Sequence, residues 1–238
     1  MPSSERDYKR IYKLQDRVLN HLGVTLGDFY LTGGTALGRF YLDHRYSDDL
    51  DFFVNADPDF SKKSKAIYEK LRTGFDIDEK QLLMTDTYLR IWLNEEVPMK
   101  IDIVNDVKSY WGKPFWNGLF YLDSPANILA NKLGTILNRE EPKDVFDIIY
   151  LATSYAFNWR DAFEQTKEKQ IVDETDFAMM FSSFPVELFK TQKWLKDELD
   201  LSEMRKQIEI ITNDFIAGKD NSLGMNKQDI LNAQPVRH

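Results

Sequence analysis

Apolar residues recur at Ile11, Leu14, Val18, Leu19 and Leu22, and this three-and-four spacing predicts an amphipathic helix over Tyr8–Leu22. Phe29-Tyr30-Leu31 is a short apolar run ending in Thr32-Gly33-Gly34, after which TALGRFYLDH returns to helical spacing, so the order is strand, glycine turn, helix. Leu50 to Val54 (LDFFV) predicts a buried strand, and the Lys/Glu-rich stretch Ser61 to Leu71 an exposed helix. Apolar and polar residues partly alternate between Gln81 and Leu93 and again over Val97 to Val104 (VPMKIDIV), which predicts neighbouring strands of a mixed sheet. A Trp-rich connection (YWGKPFWNGLFYL) leads to Ser124-Pro125, a helix cap followed by a proline at the first helical position.

From there the pattern is helical: Pro125 to Leu137, Lys143 to Tyr155, Trp159 to Lys169, Asp176 to Phe181 extended through Pro185 to Leu199, and Ser202 to Ala217. The change from mixed sheet to helices near residue 123 marks a candidate domain boundary without a Pro/Ser/Gly linker, and the last ten residues read as a loose tail.

Composition narrows the chemistry. The chain of 238 residues is long enough for one large or two small domains, and with five Trp, eleven Tyr and sixteen Phe it is globular. It has no cysteine, and His21, His44 and His238 are too scattered to suggest a zinc site, so oxygen ligands are what remain for a metal. A net charge of −8 argues against a general nucleic-acid coat protein but not against a local basic groove. No stretch approaches the roughly 18 to 20 apolar residues of a membrane span, and MPSSERDYKR lacks the apolar core of a signal peptide, so a cytoplasmic protein without membrane contact is expected.

Asp49 and Asp51 flank Leu50 at the start of a strand, so alternation places both carboxylates on one face, roughly 7 Å apart. Two such carboxylates resist ionising together unless a cation compensates, and hard oxygen ligands suit Mg²⁺. Asp102, in Lys100-Ile101-Asp102-Ile103-Val104, is again a carboxylate between core-facing residues. If its strand lies beside LDFFV, three carboxylates approach one another as a two-metal site requires. Thr32-Gly33-Gly34-Thr35 offers backbone N–H groups at a helix start, a seat for polyphosphate. Asp57-Pro-Asp59 and Asp76-Ile-Asp78 repeat the Asp-x-Asp spacing but read as turn or surface acids.

LTGGTAL…HRYSDDLDFF closely resembles the first motif of the AbiEii/AbiGii-type nucleotidyltransferases, toxin components of bacterial abortive-infection and toxin–antitoxin systems. Asn131-Lys132-Leu133, Arg139, Lys143-Asp144 and Asp147 resemble the second motif, and the resemblance covers Gly33 to Leu151. It implies an α+β fold: a DNA polymerase β-like nucleotidyltransferase core with a mixed sheet over residues 1–122, followed by a C-terminal helical domain over 123–238 that contributes the Lys132/Asp144 motif. It also implies an NTP substrate with Mg²⁺, two ions being expected. Asp49 and Asp51 would hold the metals, and Asp102 would complete the site and serve as base. Lys132 would reach the nucleotide phosphates, and Thr35, Ser47 and the Gly33-Gly34 backbone would contact the triphosphate. Thr32, Arg45, Lys143 and Asp144 complete the expected nucleotide-binding set.

One departure stands out: the family's Arg-Asp is Lys143-Asp144, and Lys keeps the charge without the bidentate fork. Alternatives stay open at several positions. Arg139, Asp144 and Asp147 equally suit an ion-pair network locking two helices, Lys132 a solvated helix lysine, and His44 a structural hydrogen bond. Arg45 suits either a phosphate or a core carboxylate. Trp111, Phe115 and Trp116 could stack a base, although packing between domains is the favoured reading.

The implied reaction moves an NMP from NTP to an acceptor hydroxyl, on tRNA or another macromolecule such as a protein, by a toxin with a cognate antitoxin. Nucleotidylation of a small molecule of the antibiotic type, and a non-catalytic nucleotide-binding partner protein, are the alternatives. Acidic charge mildly favours a cationic small substrate, and the resemblance favours the macromolecule.

Overall fold

The structure, a computed structural model, describes residues 7–139 and 141–236. The opening helix α1 (Tyr8–Leu22) begins where Asp7 accepts a hydrogen bond from Arg10 N–H, and it buries Ile11, Leu14, Val18, Leu19 and Leu22. Each such side chain fully buried stabilises by about 1.5–3 kcal/mol. Backbone contacts divide the chain into two compact units. The first holds residues up to Gly38, Tyr46–Lys108 and Pro114–Asp123, and the second holds Arg39–Arg45, Ser109–Lys113 and the chain from Ser124 onward.

The first unit is built on a seven-stranded mixed sheet: β1 (Tyr30–Thr32), β2 (Leu50–Asn55), β3 (Leu83–Met84), β4 (Tyr88–Leu93), β5 (Met99–Asp106), β6 (Phe115–Trp116) and β7 (Tyr121–Leu122), in the order β3-β4-β5-β2-β1-β7-β6. The expected adjacency is present: β2 and β5 run parallel, with Asp51 opposite Asp102. Along β2, Leu50, Phe52 and Val54 are buried while Asp51, Phe53 and Asn55 are partly exposed, the alternation that its sequence predicts. A one-turn helix α2 (Gly33–Ala36) follows β1 and runs into a π-helical turn over Leu37–Tyr41.

Two expectations change in this unit. Helix α3 (Phe60–Arg72) is amphipathic rather than exposed, burying Phe60, Ser64, Ile67, Tyr68 and Leu71 behind its Lys/Glu face. The Trp-rich connection contains β6 and β7, each too short for alternation to reveal.

In the second unit, α4 (Pro125–Asn138) starts at Ser124, whose hydroxyl accepts from Asn127 N–H, with a proline at its first position. It packs on α5 (Pro142–Ser154) and α6 (Trp159–Lys167), while α7 (Glu174–Ser182) packs on α8 (Leu201–Ile216). Phe163, Phe177 and Phe215 meet ring to ring in this core. The helix expected through Leu199 is instead a 3₁₀ segment over Val186–Thr191 and then irregular chain. Pro185 supplies no N–H to continue α7, and Trp194 anchors the irregular stretch on Phe146 and Phe189. The described part of the expected loose tail, up to Val236, is packed: Ile230 is buried, and Val236 N–H donates to Phe40 C=O. His238 lies outside the described residues. Among those described, no helix is long and apolar enough to cross a membrane.

Candidate active site

The turn between β1 and α2 is shaped by what surrounds Asp51. Gly33 has φ +65°, and a Cβ there would sit 2.9 Å from the Asp51 carboxylate oxygen Oδ2. Backbone conformation and close approach thus both require glycine. The hydroxyls beside it are engaged: Thr32 donates to the buried Asp123 carboxylate, and Thr35 donates to Asp49 C=O at 2.5 Å. What Gly33 and Gly34 could offer a phosphate is backbone N–H.

Asp49, Asp51 and Asp102 lie in the first unit, Asp51 and Asp102 as register partners on adjacent strands and Asp49 just before β2. Asp102 is heavily engaged. Arg90 donates Nε to Oδ1 (2.8 Å) and a terminal nitrogen to Oδ2 (3.0 Å), while Tyr88 OH donates to Oδ1 (2.8 Å). Lys100 Nζ lies 2.8 Å from Asp102 and 3.3 Å from Asp49. Burial pushes the Asp102 carboxyl up, but hydrogen bonds from Arg90 and Lys100 outweigh it and hold it below the ordinary carboxylate value. Lys100 is weakened as a cation by desolvation and strengthened more by Asp51, Asp102 and Asp49, so its ammonium is held above the usual lysine value.

This arrangement bears directly on a metal. Among the described residues no three carboxylate or imidazole groups converge as a metal-holding set. The Lys100 ammonium lies between Asp49 and Asp102 and supplies positive charge to both. The donor chemistry nevertheless suits a hard divalent ion: all three groups offer oxygen, Asp51 and Asp102 from adjacent strands and Asp49 from just before β2, with a cation already drawn between two of them. Ser47 precedes these acids, and its backbone C=O accepts from the Gln15 side chain.

The second unit holds the other predicted residues. Lys132 on α4 is not solvated: its Nζ lies 2.5 Å from Asp144 and 2.7 Å from Asp147, with only 9% of the side chain exposed. Arg45 grips Asp147 with two nitrogens, Nε to Oδ1 at 2.6 Å and a terminal nitrogen to Oδ2 at 2.7 Å. His44 Nε2 meets the same Oδ1 at 2.8 Å, and Arg139 reaches Asp144 at 3.0 Å. The ion-pair network locking α4 to α5 is therefore real. Burial pushes the Asp147 carboxyl up, yet Arg45 and Lys132 hold it well below the usual range. Desolvation lowers His44, more than its hydrogen bond to Asp147 raises it. Desolvation, with Lys132, Arg139 and Arg45 nearby, lowers the Lys143 ammonium pKa more than Asp144 raises it. Trp116 is nearly half exposed and meets Tyr121 of its own hairpin in a tilted ring contact, with centroids 5.0 Å apart.

Four residues that the sequence pattern did not single out shape the first unit's site: Gln15, Tyr88, Arg90 and Lys100. Arg90 lies directly opposite Asp102 across β4 and β5, a relation visible only once the register is known. Gln15 carried a signal in its position, since it sits on the buried stripe of α1 between Ile11 and Leu19, where an apolar residue is the rule. Asp57 and Asp78 behave as expected, bonding Lys63 and the turn at Lys80 and Gln81.

A sequence model of the family described as "Nucleotidyl transferase AbiEii toxin, Type IV TA system" matches residues 17–221. No protein of curated function matches the chain. Among solved structures, JHP933 from Helicobacter pylori is similar with a TM-score of 0.59 and 18% identity, covering 89% of this chain and 92% of that one. A second H. pylori protein, described as a nucleotidyltransferase, gives 0.61 and 18%, covering 87% and 94%. MenT4, a nucleotidyltransferase toxin from Mycobacterium tuberculosis H37Rv, gives 0.52 and 14%, covering 90% and 84%.

Proposed function

Because the chain belongs to the AbiEii nucleotidyltransferase toxin family, we propose that it transfers an NMP from an NTP to an acceptor hydroxyl, with Mg²⁺ held by Asp49, Asp51 and Asp102. The observation that carries this reading is the Asp51–Asp102 register with Asp49 just ahead of β2 and Gly33 against Asp51. The acceptor oxygen attacks the α-phosphorus, the bond from that phosphorus to the bridging oxygen breaks, and pyrophosphate leaves. Bound Mg²⁺ supplies Lewis-acid charge neutralisation on the phosphate oxygens.

Asp102 suits ligation better than proton abstraction, since Arg90 and Lys100 depress its proton affinity; the acceptor proton then passes to water. We assign the triphosphate to the Gly33 and Gly34 backbone N–H groups together with Thr32, Thr35 and Ser47; Thr32 and Thr35 also tie the turn to Asp123 and to the Asp49 carbonyl. In the second unit, Lys132 and Asp144 form the buried pair of the motif, and Arg45 and Lys143 add positive charge. Family membership supports assigning these four to the nucleotide.

We favour a macromolecular acceptor, tRNA first, with a cognate antitoxin restraining the enzyme in the cell. The test is incubation with Mg²⁺, each α-labelled NTP in turn, and total RNA or cell extract. Label on a tRNA-sized or protein band is expected. Label found only on small molecules would move the reading to an antibiotic-type nucleotidyltransferase, and no transfer with any NTP would overturn it.

A further inference from the structure

Two of the three site carboxylates are fixed by the sheet, and the third is not. Asp51 and Asp102 sit within β2 and β5 and are register partners, whereas Asp49 precedes β2, at the end of the irregular stretch that follows the π-helical turn. Two side chains hold that lead-in. Gln15 Nε2 donates to Ser47 C=O at 3.0 Å and to Asp49 C=O at 3.4 Å, and Thr35 Oγ1 donates to the same Asp49 carbonyl. Both residues are fully buried. Only the amide nitrogen of Gln15 can face two carbonyl oxygens, so its orientation is determined by chemistry. A buried amide on an apolar helix stripe is costly unless such partners satisfy it, and an apolar residue there would pack equally well.

We infer that Gln15 is a positioning residue for the candidate metal site: with Thr35 it holds the Ser47–Asp49 backbone so that the Asp49 carboxylate stands beside Asp51. The inference rests on the metal assignment above, and its consequence is specific. Removing the amide donor frees the lead-in to β2 and loosens one oxygen ligand, while the Asp51–Asp102 pair keeps its strand register.

The test uses the full chain and Mn²⁺ alone as probe, with affinity measured by electron paramagnetic resonance and folding by thermal unfolding. Gln15→Met keeps volume and removes the donor; Thr35→Val removes the second donor to Asp49 C=O; Asp51→Asn removes a ligand. Leu14→Ala, on the same buried face of α1, is the control for stability alone. Gln15→Met and Thr35→Val are each expected to weaken Mn²⁺ binding about tenfold, the usual scale for residues that orient metal ligands. Leu14→Ala lowers the unfolding midpoint and leaves Mn²⁺ affinity unchanged. If Asp51→Asn weakens binding while Gln15→Met and Thr35→Val bind as wild type, the positioning role is overturned and the metal assignment stands. Wild-type binding by Asp51→Asn overturns the metal assignment, and the inference falls with it. If Gln15→Met does not fold, Thr35→Val alone decides.

Discussion

Two clusters of acids and bases in this protein use the same ingredients to different ends. Around Asp102 the cations are partly in water: Arg90 is 39% exposed by side chain, and Lys100 19%. Around Asp147 the carboxylate and His44 are wholly buried, Arg45 is 3% exposed and Lys132 9%. A charge in the first cluster can be exchanged for another cation, because solvent meets part of the cost. In the second, every partner removed leaves a desolvated charge behind. The first has the character of a binding site, and the second, besides the nucleotide role proposed for it, fastens α4, α5 and the Arg39–Arg45 segment together.

The largest effect expected is therefore on stability in the second cluster. Asp147→Ala removes the carboxylate that Arg45 grips with two nitrogens and leaves Lys132 with Asp144 as its remaining buried carboxylate, and should destabilise by about 3–5 kcal/mol, read as a lowered midpoint in denaturant; a loss below about 1 kcal/mol would erase the distinction between the clusters. Next is Gly33→Ala, which forces a side chain into φ +65° and against Asp51. A cost of about 1–3 kcal/mol is expected, together with lost transfer activity, and a fully active variant would show that Asp51 can shift freely.

The pH dependence sharpens the comparison further. His44 is depressed below its ordinary value of 6.5, so its neutral form contributes stability above that pH, and the contribution is lost as pH falls toward the folded-state value. Asp147, also depressed, adds a loss of the same sign at lower pH. The unfolding temperature should decline as pH falls below 6.5, and His44→Gln, which keeps a donor and does not titrate, should flatten the upper part of that decline. An unchanged profile in the variant would remove His44 from the account. The smallest effect belongs to Arg90→Met: Lys100 and Tyr88 still bond Asp102, so chemical denaturation should change by less than about 1 kcal/mol.

Much of the framework was legible because it depends on local pattern. Alternation at Leu50–Val54 and Lys100–Val104 marks both carboxylate strands, and Ser124-Pro125 marks the start of α4. What stayed hidden depends on distance along the chain. Arg45 meets Asp147 across 102 residues, and Gln15 meets Ser47 across 32, so neither pairing leaves a spacing to read. Lys132 illustrates the limit: its helical position is consistent with solvent, and only the fold brings Asp144 and Asp147 to it. Strands of two residues, such as β6 and β7, carry no period at all.

The most direct test of the account is Mg²⁺-dependent transfer of α-labelled NMP by wild type and Asp51→Asn, each shown to be folded by its unfolding midpoint. The substitution keeps side-chain volume and removes one ligand charge, so activity should fall at least about a hundredfold while the midpoint moves by little. Wild-type transfer by Asp51→Asn would contradict the assignment of Asp49, Asp51 and Asp102 as the catalytic centre.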